Sequence, residues 1–94
     1  MDSLTNAQIR QLKAQAQRLK ATLKIGKGGL SPQFLEALDV LLSQHQLVKV
    51  KFDEFKEQKK ELTPQLAERS RSHFITRVGN VVVLYRPKLE ERRG

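Results

Sequence analysis

Residues 24–30 of the chain read KIGKGGL, which sets Gly26, Gly28 and Gly29 around Lys27. Glycine loses more conformational freedom on ordering than any other residue, so a cluster of it marks a sharp turn or a backbone that something approaches closely. Backbone N–H groups exposed beside a lysine suit an anionic ligand, above all a phosphate. Two nucleotide-binding spellings are absent. A P-loop needs Gly-x4-Gly-Lys-Ser/Thr, and no such run occurs. The dinucleotide pattern Gly-x-Gly-x-x-Gly breaks at its last position, where Ser31 stands. What is left is Gly26-Lys27-Gly28-Gly29, a GxxG loop of the kind that clamps a nucleic-acid backbone in KH modules. A tight strand-to-helix turn with no ligand has the same spelling, and these residues alone do not decide between the two.

Other chemistry is hard to find in the chain. His45 and His73 lie far apart, and neither has a partner at metal-ligand spacing; they read as a helix-end and a strand-start residue. Asp53, Glu54, Glu57 and Glu61 are interleaved with Lys56, Lys59 and Lys60, as on a solvated face rather than in a paired-carboxylate site. Cysteine is absent, which removes disulfide and thiol chemistry and fits a reducing cytoplasm. No catalytic residue, metal site or cofactor is expected, and the protein is not expected to be an enzyme. Nor does any stretch have the length of a membrane span or the pattern of a signal peptide. Phe34 and Phe52 fit core positions, Phe74 and Tyr85 are expected mostly in the core, and Phe55 is the aromatic with an exposed setting. A grip on nucleic acid would therefore rest on phosphates and shape more than on stacked bases.

The charge distribution points the same way. The net charge is +8, from 18 Lys and Arg against 10 Asp and Glu. Residues 1–35 carry Arg10, Lys13, Arg18, Lys20, Lys24 and Lys27 against Asp2, and residues 69–88 carry Arg69, Arg71, Arg77, Arg86 and Lys88 with no acid. The stretch between them is acidic on balance. Two like-signed blocks make one positive face for a polyanion if the fold brings them together.

The elements that must position these residues are legible in part. Thr5 and Gln8 form a capping box, Leu4 can staple against Ile9, and Ile9, Leu12, Ala16 and Leu19 make one apolar stripe. Arg10, Lys13, Gln17 and Lys20 follow one residue later as a basic stripe on the same first helix. Residues 22–25 read as a short strand ending at the glycines. Ser31-Pro32 caps a second helix running to about His45. LVKVKF, residues 47–52, alternates, with Val48, Val50 and Phe52 on one side and Lys49 and Lys51 on the other. Residues 53–61 carry little signal. Thr63-Pro64 predicts a third helix start, since an earlier one would put proline inside the helix. Gly79-Asn80 suits a type II′ hairpin turn between two strands, the second an apolar interior strand over residues 81–85. The order is α-β-α-β-α-β-β: an α/β (α+β) domain with a mixed four-stranded sheet packed by helices.

LKIGKGGLSPQFLEAL, LVKVKF and above all RSRSHFITRVGNVVVLYR, in that order, resemble the CRM domain in its stand-alone bacterial, YhbY-like form. The resemblance runs from about Leu4 to Pro87. It implies a fold similar to the C-terminal domain of bacterial translation initiation factor three, with RNA binding and association with precursors of the large ribosomal subunit. It also implies that the third helix runs through the region of Pro64. On this basis residues 1–88 form one RNA-binding domain and residues 89–94 a flexible tail. The expected RNA-binding residues are Gly26, Lys27, Gly28 and Gly29 of the loop, with Arg10, Lys13, Lys20, Arg77 and Arg86 around it. The partner implied is RNA, in the form of large-subunit ribosomal RNA or a pre-ribosomal particle, bound by a cytoplasmic monomer. The competing reading is a protein-interaction module whose basic face docks an acidic protein partner.

Overall fold

Local sequence explains the starts of the first two helices in the computed structural model, which describes residues 4–20 and 23–87. Thr5 Oγ1 accepts from the Gln8 N–H at 3.1 Å while Gln8 Oε1 accepts from the Thr5 N–H at 2.8 Å, closing the capping box that opens α1, Asn6–Ala16. Strand β1, Leu23–Ile25, leads through the glycine loop into α2, Pro32–His45. There Ser31 Oγ accepts from the Phe34 N–H at 3.1 Å and Pro32 holds the first helical position. Strand β2, Leu47–Phe52, a 3-10 turn over Lys56–Gln58, and α3, Lys59–Arg69, come next. The chain closes with the hairpin of β3, His73–Val78, and β4, Val81–Tyr85.

The strands form a mixed sheet in the order β1-β2-β4-β3, with β1 parallel to β2 and the other pairs antiparallel. This is the predicted element order and sheet. Gly79 sits at φ 59, as the first central residue of a type II′ turn must, and Val78 pairs with Val81 around it. Alternation along β2 divides the core into two. Val48, Val50 and Phe52 join Ile25, Phe34, Leu38, Leu42, Leu66, Val82 and Leu84 beneath α2 and α3. On the other face Leu47, Ile75 and Val83 pack against Leu12 and Ala16 of α1, with Leu4 and Ile9 at the edge where the staple was expected.

Three expectations need correcting. Helix α1 ends at Ala16, where a tighter turn takes over, with the Arg18 N–H bonded to the Gln15 carbonyl and the Leu19 N–H to that of Ala16, each at 3.1 Å. Lys20 therefore lies beyond the helix, not on its basic stripe. Helix α3 starts at Lys59 and contains Pro64, as the family resemblance implied and the cap-then-proline signal did not. Thr63 is not its cap; the Thr63 hydroxyl donates back to the Lys59 carbonyl at 2.6 Å. Pro64 is exposed, and burial of Thr63 and Leu66 on the opposite side holds the helix together around it. Finally, Phe74 is 47% exposed. Strand β3 is an edge strand, and Phe74, paired with Leu84 on the α2 and α3 side, lies where that face is uncovered, while Ile75 packs on the α1 side.

Candidate nucleic-acid interface

The glycine loop leaves the sheet at the end where β1 and β2 finish and the β3–β4 hairpin turns. Ile25 pairs with Phe52, whose N–H donates to the Asn80 carbonyl at 2.8 Å, and the Asp53 and Glu54 N–H groups both donate to the Ile25 carbonyl, at 3.1 and 3.0 Å. Loop, β2 exit and hairpin turn thus share one edge of the molecule. Lys59 joins them from α3, its Nζ donating to Asn80 Oδ1 at 2.9 Å.

Within the loop, the Gly29 N–H donates to the Gly26 carbonyl at 3.0 Å, which places Lys27 and Gly28 at the tip of a tight turn. The three glycines have different reasons to be glycine. Gly29 has φ 62, a region that side chains disfavour, and a Cβ there would lie 3.4 Å from the Phe55 ring. Gly26 and Gly28 have no positive φ. A Cβ would meet nothing within 4 Å at Gly26, and only Ser31 at 3.8 Å at Gly28. Folding accounts for Gly29 alone. The other two keep an exposed backbone bare, with the Lys27 side chain beside them and the N-terminus of α2 immediately downstream.

The expected cations separate into groups. Lys13 lines a cleft between α1 and the hairpin strands with Gln17, Lys49, Thr76, Val78 and Val81, and Arg10 is exposed one helical turn before it. Lys20 is exposed in the turn after α1. Arg77 lies next to the hairpin turn, with Nη1 donating to the Gly79 carbonyl at 3.2 Å. Arg86 is elsewhere. It leaves the opposite end of β4, its N–H bonded to the Gln46 carbonyl, and its guanidinium bonds Asp39 Oδ1, the Asp39 and Ser70 carbonyls and Ser43 Oγ at 2.8–2.9 Å. With its side chain only 11% exposed, Arg86 clamps α2, the end of α3 and β4 together. The two basic blocks therefore do not merge into one face. Lys88 lies outside the described residues, as does the expected tail.

Sequence reasoning passed over two lysines. Leu23 and Ile25 pack under α2 and α3, so Lys24 between them points to the α1 face, and its register partner is Lys51. Lys51 in turn pairs with Val81 and Val81 with Val78, making one row across the sheet end nearest the loop. Alternation in LVKVKF had already put Lys51 on that side; only the parallel register with β1 brings Lys24 next to it. Lys49, two residues earlier, has a bond of its own, from Nζ to the Leu19 carbonyl at 2.6 Å, which ties the exit of α1 to β2. Among the described residues, no group of three His, Cys, Asp or Glu side chains is placed to hold a metal ion. No helix among them is long and apolar enough to cross a membrane.

A mixed sheet with one helix on one face and two on the other, and a GxxG loop between the first strand and the second helix, defines a small α+β domain of known type. The chain belongs to the CRS1/YhbY (CRM) domain family, whose model matches residues 4–86. It is 30% identical over 91 residues to a Bacillus subtilis protein named "Probable RNA-binding protein", covering 96% of this chain and 95% of the relative. It is 31% identical over 85 residues to a Pseudomonas aeruginosa protein of the same description, covering 89% of this chain and 82% of that one. The solution structure of a hypothetical protein from Staphylococcus aureus superposes with a TM-score of 0.76 at 33% identity, covering 92% of this chain and 91% of the other.

Proposed function

We propose that this protein binds RNA without catalysing a reaction, gripping the sugar-phosphate backbone through Gly26–Gly29. We propose further that it serves as a cytoplasmic, monomeric assembly factor on the precursor of the large ribosomal subunit. The observation that carries the grip is the bare, exposed backbone at Gly26 and Gly28, whose glycines neither φ nor packing requires. A ligand that comes within hydrogen-bonding distance of the main chain gives them a reason, and Lys27 at the tip supplies a charge for phosphate. The naming of its relatives as probable RNA-binding proteins supports the ligand class.

Lys13, Lys24 and Lys51 on the α1 side, with Arg10 and Lys20 at its margins, extend the cationic surface beyond the loop, while Arg77, paired with Val82 on the other face, stands beside the hairpin turn. Arg86 does not take part, since its donors are already engaged. Roughly four to six phosphate contacts would give a log–log salt slope of about −3 to −5. The test is crosslinking in cells followed by RNA sequencing, with a Lys27→Glu/Gly28→Asp variant alongside. Reads concentrated in large-subunit ribosomal RNA and lost in the variant support the reading. Dispersed reads that the variant leaves unchanged refute it, and move the basic surface toward an acidic protein partner.

A further inference from the structure

Beside the loop, on the side away from Lys24 and Lys51, runs a groove of about 320 Å³ lined by Gly29, Leu30, Phe55, Gln58, Leu62 and Gln65. We infer that this groove takes one unpaired nucleobase of the RNA strand whose backbone the loop holds, with Phe55 as its stacking surface. The inference rests on the proposed grip and adds to it a preference for unpaired over paired RNA.

Phe55 carries the argument. The residue is 40% exposed, its ring lies against Gly29, and its backbone is held at φ 60, ψ 30. A bulky residue in the left-handed region is an outlier, and Asn or Gly would fit there with less strain. A strained, half-exposed aromatic packed on a binding loop is better explained by what the ring contacts than by the fold, whose core does not include it.

Charge selects the occupant. Glu61 lies on the groove wall, and Asp53 and Glu54 are anchored by their N–H groups to Ile25 at the foot of the loop. The Glu61 carboxylate disfavours phosphate beside it but tolerates a neutral heterocycle, and it can accept from a base amino group. Gln58 and Gln65 offer amides that both donate and accept, and Arg69 closes the far end of the wall with a guanidinium. The volume is at the bottom of the range for ligand pockets, roughly 300–1,000 Å³, which suits a single planar ring system. Phosphates on the lysine side and a base in the groove would place the strand astride the loop tip.

The test compares Phe55→Asn with the unaltered protein on two probes, a short unstructured RNA and a fully paired RNA duplex of the same length. Asn accepts the left-handed backbone, so the variant should melt at the same temperature or higher. Its affinity for the unstructured RNA should fall by about five- to 150-fold, the range measured for base–aromatic stacking, while duplex binding stays as it was. Unchanged affinity for both probes, or an equal fall on both, overturns the inference, because the ring would then contribute nothing specific to an unpaired base. The Lys27→Glu variant separates this claim from the one beneath it. If Lys27→Glu leaves both probes bound as before, the backbone grip fails whatever Phe55 does.

Discussion

Replacing the loop glycines one at a time by alanine separates what the fold requires from what a ligand requires. At Gly29, alanine must adopt φ 62 with its Cβ 3.4 Å from the Phe55 ring. The left-handed region costs a non-glycine residue about 1–2 kcal/mol. At Gly26, where nothing lies within 4 Å and φ is not positive, alanine brings no such strain. There it should stabilise the domain by roughly 0.4–1 kcal/mol by restricting the unfolded chain. The same restriction acts at Gly29, so the two variants should differ by about the strain alone, about 1–2 kcal/mol. In a domain of this size each kcal/mol moves the melting temperature by about 4–8 °C. The gap is therefore large enough to read in a urea titration or a thermal melt. RNA affinity should not follow the same order. A methyl group at Gly26 stands where the backbone is otherwise bare, and losing one charge-assisted hydrogen bond from the main chain costs about 1.5–3 kcal/mol. That is roughly a ten- to 150-fold fall in affinity from the more stable of the two variants. Fluorescence anisotropy with a labelled RNA, run on samples whose urea midpoints are known, checks both halves. If Gly26→Ala binds RNA as the unaltered protein does, the bare backbone has no ligand and the loop is only a turn.

Three further outcomes follow from other parts of the structure. Arg86→Ala should destabilise the domain by about 1.5–3 kcal/mol, by removing the bonds to Asp39, Ser43 and Ser70, while the salt slope of RNA binding stays unchanged. Lys24→Gln and Lys51→Gln should each lower the magnitude of that slope by about 0.7–0.9 and shift stability by no more than about 0.5 kcal/mol; an unchanged slope removes that lysine from the interface. Pro64→Ala should raise stability by up to about 3 kcal/mol, because alanine restores a helical N–H inside α3; a loss of stability on chemical denaturation would contradict this account of α3.

The sequence carried most of the architecture because each signal was local. The capping box of α1, the Ser-Pro start of α2, alternation in β2 and the glycine turn of the hairpin are written within a few residues of where they act. The misreadings fell where a distant contact decided the matter. Lys59 reaches Asn80 across the hairpin end, and Leu66 is buried beneath the sheet, so α3 starts ahead of its proline against local preference. Arg86 has the same composition signal as Arg77, but only the tertiary fold brings Asp39 and Ser43 of α2 beside it. The GxxG loop was visible as a string. The difference between Gly29, required by its φ and by Phe55, and Gly26, required by neither, lies in the folded backbone and not in the string. Lys24 was missed because a three-residue strand has too short an alternation to reveal its outward side before its register with β2 is known.

The two ends of the sheet are held together in different ways, and this bears on how freely an RNA surface can vary. At the far end, side chains reinforce main-chain bonds such as that from the Arg86 N–H to the Gln46 carbonyl: the Arg86 guanidinium joins α2, α3 and β4, and Ser70 and Ser72 bond each other at 2.7 Å. Charge there is part of the fold. At the loop end, main-chain bonds from Phe52, Asp53, Glu54 and Gly29 set the geometry, with Lys59 as the side-chain tie. The exposed Lys24 and Lys27 are not needed for that closure. Substitutions at these two lysines should therefore tune affinity with little change in stability, whereas a neutral residue at Arg86 should do the reverse. The net charge of +8 alone is thus a poor guide to binding. What matters is how much of that charge stands at the end of the sheet where main-chain bonds and Lys59 hold the shape.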